Sequence, residues 1–212
     1  AWGCALHHPE RITAVGALSV PFSPRPEAPP LDTMKAVFKD QFFYQLYFQA
    51  EGVAEAEFES DVRVALRKFY HMGSAQADLS LLAPKPADAD MLSDLPNPDR
   101  LGDWIADTDL DFYVGEFTNS GFRGPLNYYR NHNLTWERTA GAPTKVQQPA
   151  MFVAGDKDGV ITMAAQALEN MPTLVPNLRI NELIPGVGHW TQQEAPEQTN
   201  AYMLEFLAGL EK

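Results

Sequence analysis

Two short apolar runs near the C-terminus, each followed by a polar residue suited to catalysis, constrain this chain more than any other feature. Residues 149–154 lead through a glycine to Asp158, and residues 178–184 lead to His189. Short apolar runs separated by a helical segment are typical of buried parallel strands. In an open parallel sheet, functional side chains lie just past the carboxyl ends of the strands. The pattern therefore predicts an α/β sheet with an acid and a histidine at one edge.

An acid and a histidine in this order are typical of the second half of a hydrolytic triad. Gly186 and Gly188 allow the backbone to turn sharply around His189. Asp156 competes for the acid's role, but Asp158 lies further past the strand end and is the stronger candidate. The nucleophile of such a triad precedes both residues, on a strand-to-helix elbow. No elbow of this kind occurs in the 212 residues, so we expect the nucleophile to lie upstream of Ala1.

The remaining pattern divides the chain into an α/β part, a helical insert and a second α/β part. Residues 1–22 contain the end of a helix and a strand at 12–20, followed by a proline-rich boundary at 21–32. Residues 23–142 are predicted to be an all-helical cap domain, with the clearest helix over 53–72. A second helix is expected to start with a reciprocal cap between Thr108 and Asp111. Residues 143–212 return to the α/β pattern.

Composition excludes several classes of function. A net charge of −12 argues against nucleic acid and anionic membranes as partners. A single cysteine, Cys4, excludes an internal disulfide framework and favours a reducing, cytoplasmic location. No apolar stretch approaches the ~20 residues that span a bilayer. No zinc-binding pattern and no phosphate-binding loop are present, so neither a metal nor a cofactor is predicted.

Two tyrosine-bearing segments in the insert have two interpretations. Residues 41–49 place Tyr44 and Tyr47 among aromatic and amide side chains, and residues 121–131 place Tyr128 and Tyr129 after a glycine-proline pair. Aromatic packing in a core accounts for both segments. In the functional interpretation, phenols from the insert donate hydrogen bonds to a developing alkoxide, because a tyrosine with a pKa near ~10 keeps its proton at neutral pH.

The chain resembles the soluble epoxide hydrolases of the α/β-hydrolase fold over essentially its whole length. The tyrosine segments are the most specific part of the likeness, because the acid and histidine recur across many α/β hydrolases. The segments that carry the resemblance are residues 1–11, 19–22, 44–49, 121–130, 155–158 and 188–192.

The resemblance implies that His189 is the general base, that Asp158 orients it, and that Tyr44 and Tyr129 hold the epoxide oxygen. It implies opening of an epoxide to a vicinal diol through an aspartyl ester, a detoxification type of reaction, with no cofactor. The nucleophilic aspartate and part of the oxyanion hole would belong to an N-terminal half that precedes Ala1. That half, the epoxide and water are the expected partners, and a homodimer is left open. The predicted substrate-binding residues are Pro21, Phe22, Val160 and Trp190.

Three alternatives remain open from the sequence. A haloalkane or haloacid dehalogenase shares the fold and the histidine-acid pair, and Trp104, Trp136 and Trp190 offer indole groups that could bind a halide. A serine esterase would differ only at the absent elbow. A catalytically inactive fragment or binding module is the third, because a chain without a nucleophile has no turnover by itself.

Overall fold

The computed structural model describes residues 1–78 and 84–210, which form two compact units. An α/β unit comprises residues 1–25, 73–76 and 141–212, and a helical unit comprises residues 26–72 and 77–140. The predicted ranges 23–142 and 143–212 include residues 79–83 and 211–212, which lie outside the described residues.

Twelve helices and three strands occur in the described part of the chain. None of these helices is long and apolar enough to cross a membrane. In chain order the elements are α1 (Trp2–His7), β1 (Val15–Leu18), α2 (Pro30–Phe38), α3 (Tyr44–Tyr47), α4 (Val53–Ser60), α5 (Val62–Gly73), α6 (Asp107–Ser120), α7 (Arg123–Arg130), α8 (His132–Arg138), β2 (Ala150–Gly155), α9 (Gly159–Met163), α10 (Ala165–Leu174), β3 (Leu178–Ile184), α11 (Thr191–Glu194) and α12 (Pro196–Ala208).

The α/β unit is built on a parallel sheet in the order β1-β2-β3. The whole of β2 is buried, and alternate side chains of a strand point to opposite faces. Ala150, Phe152 and Ala154 join a core cluster with residues of α1 and α10, whereas Met151 and Val153 join a cluster with residues of α12. Helices therefore cover both faces of β2, which is why its sequence is a continuous apolar run.

The helical unit has its own aromatic core. Phe58 is 1% exposed and meets Phe48, Phe69 and Phe122 edge-on, with ring centroids 4.9–5.9 Å apart. Edge-to-face contacts of this kind add about 0.5–1.5 kcal/mol per pair beyond the burial of apolar area. The other fully buried members of this cluster are Ala54, Ala65, Leu66, Leu92, Leu110 and Leu126.

The prediction of one helix over 53–72 was wrong. Asp61 is extended, with φ −151° and ψ 91°, and it separates α4 from α5. Its carboxylate accepts a hydrogen bond from the backbone N–H of Val64 at 3.0 Å. An aspartate that caps a helix N-terminus offers the backbone an alternative to continuing the preceding helix. Hydrophobic periodicity predicted that Asp61 lies inside one helix, whereas Asp61 caps the start of a second helix.

The capping pair predicted at the start of α6 was also wrong in its residues. The backbone N–H of Ala106 donates to the carboxylate of Asp109 at 3.2 Å, so Asp109 takes the role expected of Asp111. This helix ends at Ser120. Gly121 follows α6 with φ 67° and donates its N–H to the carbonyl of Phe117, a backbone conformation that favours glycine.

The first strand is shorter than predicted. β1 spans Val15–Leu18 instead of residues 12–20, and Ser19, which follows it, has a φ of 63°. Few residues other than glycine adopt this left-handed conformation, and it costs of order 1 kcal/mol. The second and third strands lie where the apolar runs predicted them, over Ala150–Gly155 and Leu178–Ile184.

Candidate active site

Asp158 and His189 meet at the carboxyl ends of β2 and β3. The carboxylate oxygen Oδ2 of Asp158 lies 2.9 Å from Nδ1 of His189. The other oxygen, Oδ1, accepts a hydrogen bond from the backbone N–H of Val160 at 2.8 Å, which makes Asp158 the N-cap of α9. The Asp158 side chain is fully buried, whereas that of His189 is 31% exposed. A buried, hydrogen-bonded carboxylate thus fixes the orientation of a partly accessible imidazole.

The hydrogen bond between Asp158 and His189 determines which nitrogen of the imidazole carries the proton. An ionised carboxylate only accepts hydrogen bonds, so Nδ1 of His189 is the donor. In the neutral ring Nε2 then carries the lone pair, which is the arrangement a general base requires. The rival acid, Asp156, is exposed and accepts the backbone N–H of Gly186 at 2.7 Å. Asp156 stabilises the turn before the histidine.

The backbone of His189 is held at both of its polar groups. Its N–H donates to the carbonyl oxygen of Gly73 at 2.7 Å. Its carbonyl oxygen accepts a hydrogen bond from Oγ of Ser19 at 2.8 Å, and Ser19 Oγ also lies 2.8 Å from Oγ1 of Thr191. The left-handed backbone of Ser19 is thus found at a residue that anchors the histidine. Strained residues that the surrounding structure holds in place are concentrated at functional sites.

Glu194 holds the peptide groups on either side of the histidine. Its Oε2 accepts the N–H groups of Gly188 at 3.1 Å and Ala75 at 2.9 Å, and its Oε1 accepts that of Trp190 at 3.2 Å. One carboxylate therefore joins the histidine loop to the segment 73–76. Sequence reasoning missed Ser19 and Glu194, because nothing in the local pattern pairs residue 75 with residue 194.

Two glycines permit this close packing. A Cβ on Gly155 would lie 2.0 Å from the carbonyl oxygen of Val187, and a Cβ on Gly188 would lie 2.4 Å from the backbone nitrogen of Ala75. Both neighbours are backbone atoms, which cannot move aside as the end of a flexible side chain can. The absence of a side chain at both positions lets β2, the histidine loop and residues 73–76 approach one another.

The four predicted substrate-binding residues all lie in the α/β unit. Pro21 is buried, and Phe22 is 3% exposed in a core cluster with its ring 5.8 Å from that of Trp2. Val160 and Trp190 are half-buried. The ring of Trp190 lies 5.2 Å from the imidazole of His189 and packs against Gly73, where a Cβ would meet its indole nitrogen at 2.8 Å. Val160 and Trp190 are therefore neighbours of the Asp158–His189 pair, and the substrate-binding role of all four residues stays a prediction.

Tyr44 and Tyr129 are brought together in the helical unit. Their rings meet edge-on with centroids 5.7 Å apart, and both rings contact Phe48. Burial, and secondarily the proximity of Tyr44, raise the pKa of Tyr129 above its usual value. A raised pKa keeps the phenol protonated, so Tyr129 is a hydrogen-bond donor at neutral pH.

The guanidinium of Arg130 connects the second tyrosine segment to both α4 and the first tyrosine segment. Arg130, beside Tyr129, forms a two-pronged pair with the carboxylate of Glu55 at 2.6 and 2.9 Å. Its Nε also donates to the carbonyl of Phe48 at 2.8 Å. The Arg130 and Glu55 side chains are 10% and 13% exposed, and the hydrogen bond from Arg130 lowers the pKa of Glu55 to about 2. The amide of Gln49 adds a second link to the carbonyl oxygen of Tyr129 at 3.2 Å.

An open surface pocket of about 740 Å³ lies beside Tyr129, and all of its lining residues belong to the helical unit. Its lining residues are Gly124, Pro125, Tyr128, Tyr129 and His132. In residues 1–78 and 84–210, no three His, Cys, Asp or Glu side chains converge as a metal site.

Comparisons with known proteins connect these residues to one family. No protein-family model matches the chain. Epoxide hydrolase A of Mycobacterium tuberculosis is 40% identical over 99% of this chain, which covers 66% of that protein. Epoxide hydrolase B of the same organism is 34% identical over 99% of this chain, which covers 69% of that protein.

A solved structure gives the same family and the fold. An epoxide hydrolase from an endophytic Streptomyces matches with a TM-score of 0.93 and 39% identity, over 98% of this chain and 64% of that one. The chain thus spans about two thirds of the length of these proteins. Its parallel sheet, its helical insert and this likeness in sequence and structure lead to one conclusion: the chain belongs to the epoxide hydrolases of the α/β-hydrolase fold.

Proposed function

We propose that this chain is the C-terminal part of an enzyme that hydrolyses epoxides to vicinal diols through a covalent aspartyl ester. The helical unit is the cap domain of this enzyme, and the α/β unit is part of its catalytic core. The main support for the proposal is the pairing of the Tyr44 and Tyr129 phenols. The acid-histidine pair is less specific, because many other hydrolases share it. Two adjacent phenols are suited to an oxygen that acquires negative charge as a strained ring opens.

The proposed nucleophile is an aspartate from a segment that precedes Ala1. Within the described residues β1 pairs only with β2, so one edge of the sheet is open. Val20, just beyond β1, is 53% exposed. An exposed sheet edge is a template for pairing with further strands. The open edge supports a core completed by further strands of a longer protein, and this chain covers only 66% of epoxide hydrolase A and 69% of epoxide hydrolase B.

In the first chemical step, the aspartate oxygen attacks a ring carbon of the epoxide. The carbon-oxygen bond of the ring breaks and its electron pair passes to the ring oxygen, which takes a proton from Tyr44 or Tyr129. An ester and a tyrosinate result. Splitting the reaction through a covalent intermediate replaces one difficult step by two easier ones.

In the second step, Nε2 of His189 removes a proton from water, and the resulting hydroxide attacks the ester carbonyl. The ester bond to the alcohol breaks, the diol leaves and the carboxylate is restored. The proton held by His189 then returns to the tyrosinate, so the net reaction adds one water to one epoxide. Asp158 stabilises the imidazolium that forms, and positioned general-base help of this kind contributes ~10²–10⁴ in rate.

The decisive experiment compares the full-length protein with these 212 residues alone on matched epoxide and haloalkane substrates. We expect the full-length protein to release diol and no halide, and the 212-residue chain to show no steady turnover. Halide release would favour the dehalogenase alternative. Diol formation by the 212 residues alone would show that the nucleophile lies within them, and no turnover by either protein would favour an inactive binding module.

A further inference from the structure

Three side chains of the helical unit, those of His132, Gln45 and Tyr44, are joined by consecutive hydrogen bonds. Nε2 of His132 lies 3.0 Å from the amide oxygen Oε1 of Gln45. The amide nitrogen Nε2 of Gln45 donates to the hydroxyl oxygen of Tyr44 at 2.7 Å. His132 is the first residue of α8 and Tyr44 the first residue of α3, so these hydrogen bonds join two helices that are distant in sequence.

The orientation of the Gln45 amide decides which group is the donor and which is the acceptor in each of its two hydrogen bonds. An amide oxygen only accepts hydrogen bonds and an amide nitrogen only donates them. Since Oε1 faces His132, the imidazole must donate through its Nε2–H. Since the amide nitrogen faces Tyr44, the phenol oxygen is the acceptor, and its own proton is directed away from Gln45. If the amide were rotated by 180°, Tyr44 would donate its proton to the amide oxygen of Gln45, and His132 would accept a hydrogen bond from the amide nitrogen.

The surroundings of His132 and Gln45 hold this arrangement in place. Burial lowers the pKa of His132 below its usual value, so the ring is neutral at physiological pH and has one donor nitrogen. The ring also meets that of Tyr129 edge-on, with centroids 5.9 Å apart and an interplanar angle of 90°. The backbone carbonyl of Gln45 accepts a hydrogen bond from the amide of Gln49 at 2.6 Å, which fixes the segment that carries Tyr44.

We propose that His132 sets the direction of hydrogen bonding through Gln45 so that Tyr44 presents its proton to the epoxide oxygen. This inference rests on the proposed function, in which Tyr44 is a donor during ring opening. His132 and Gln45 are positioning residues and do not react themselves. A phenol whose oxygen already accepts a hydrogen bond is also a better donor, because hydrogen bonds in a chain polarise one another.

The test compares two substitutions of Gln45 in the full-length protein. Gln45→Leu removes the amide that donates to the Tyr44 oxygen and supplies no acceptor that competes for the Tyr44 proton. Gln45→Glu keeps the shape but supplies only acceptors at pH 8, so Tyr44 donates to the carboxylate and not to the epoxide. The rate of ester formation, followed by rapid quenching and intact mass, should fall a few-fold for Gln45→Leu and at least ~10-fold for Gln45→Glu, since a hydrogen bond to a charged group is stronger than one between neutral groups.

The order of the ester-formation rates of the two variants distinguishes a directional role of Gln45 from a structural one. If Gln45 only supported the fold, the isosteric Gln45→Glu would be the milder change, and that result would overturn the inference. Ester hydrolysis should be unchanged in both variants, because His189 and Asp158 are not involved. In a Tyr44→Phe background the two variants should form ester at equal rates, and a persistent difference would also contradict the inference.

Two further variants complete the experiment. His132→Gln keeps a donor and should form the ester at the wild-type rate, whereas His132→Leu should slow ester formation a few-fold, by about as much as Gln45→Leu. If Gln45→Glu does not fold, the two His132 variants still test whether His132 sets the direction of hydrogen bonding. If Tyr44→Phe alone leaves ester formation unchanged, the tyrosine assignment in the proposed function fails. If Tyr44→Phe slows ester formation but the expected order of the Gln45 and His132 variants is absent, only the directional inference fails.

Discussion

The carboxylate of Asp158 is hydrogen-bonded to the imidazole of His189 at 2.9 Å, although 31 residues separate them in the chain. β2 and β3 lie side by side in parallel, so their carboxyl ends bring the two residues to the same edge of the sheet. The acid is completely buried and the histidine is partly exposed. This relationship gives an imidazole that water can reach and a carboxylate that water cannot.

His189→Gln in the full-length protein should permit ester formation and block its hydrolysis. Glutamine cannot remove a proton from water, whereas the proposed attack of an aspartate on the epoxide does not need His189. Intact mass after mixing with substrate should show a stable adduct of one substrate per protein. Asp158→Asn should slow hydrolysis by ~10²–10⁴, because the imidazole loses the partner that sets its tautomer. Steady diol production by His189→Gln at the wild-type rate would refute the assignment of the base.

Tyr44→Phe and Tyr129→Phe should each slow ester formation, and the double variant should nearly abolish it. Each substitution removes one proton donor to the ring oxygen, and one such donor is worth roughly 10²-fold or more in rate. Stopped-flow or quench measurements of the first turnover report this step directly. Tyr202→Phe is the matched control, because that hydroxyl belongs to a half-buried tyrosine of α12. Unchanged ester formation in the double variant would remove both tyrosines from the mechanism.

Glu194→Ala should slow ester hydrolysis more than ester formation. Its carboxylate accepts three backbone N–H groups around the histidine, and their loss lets the His189 loop drift from its position. We expect the ester to accumulate during turnover and kcat to fall by roughly 10-fold, because small displacements of a catalytic group are costly. Glu197→Ala, on the exposed first turn of α12, is the control. Equal kinetics for the two variants would show that Glu194 is not a positioning residue.

Arg130→Met should destabilise the helical unit by about 3 kcal/mol, because it removes the charged partner of the largely buried Glu55 carboxylate. The matched control is Arg123→Met, whose pair with Glu51 has both side chains 68% exposed and should be worth less than ~1 kcal/mol. Urea unfolding of the full-length protein at pH 7 measures both. A loss of equal size in the two variants would contradict the stabilising role of the buried pair.

The same pair predicts a dependence of stability on pH. The pKa of Glu55 falls from 4.5 to about 2 in the folded protein, so the ionised form stabilises the fold above pH 4.5. That contribution is lost as the pH falls from 4.5 towards 2, where the carboxylate becomes protonated. The difference in unfolding free energy between wild type and Glu55→Gln should therefore be large at pH 6 and shrink by pH 3. A difference that does not change over this range would show that the pKa of Glu55 is not lowered.

The strands and the types of chemical group at the sheet edge were predictable from the sequence. β2 and β3 appear as apolar runs because helices cover both faces of β2, and burial of that kind is visible in composition. The glycine at 121 ends a helix for a local reason, its positive φ. Asp158 and His189 follow strand ends, and parallel strands bring such residues to one edge.

Other features depended on contacts between distant parts of the chain. Asp61 divides a helical pattern because its side chain caps a neighbour, a choice that hydrophobic periodicity does not reveal. Ser19 reaches the carbonyl of His189 across 170 residues, and Glu194 reaches Ala75 across 119. The orientation of Gln45, and with it the direction of the Tyr44 hydrogen bond, depends on where α8 places His132. The sequence determined which groups are present and where the strands run, because burial and turn chemistry are local. Only the tertiary structure decided which groups hold one another in place, because hydrogen bonding between distant segments follows from packing.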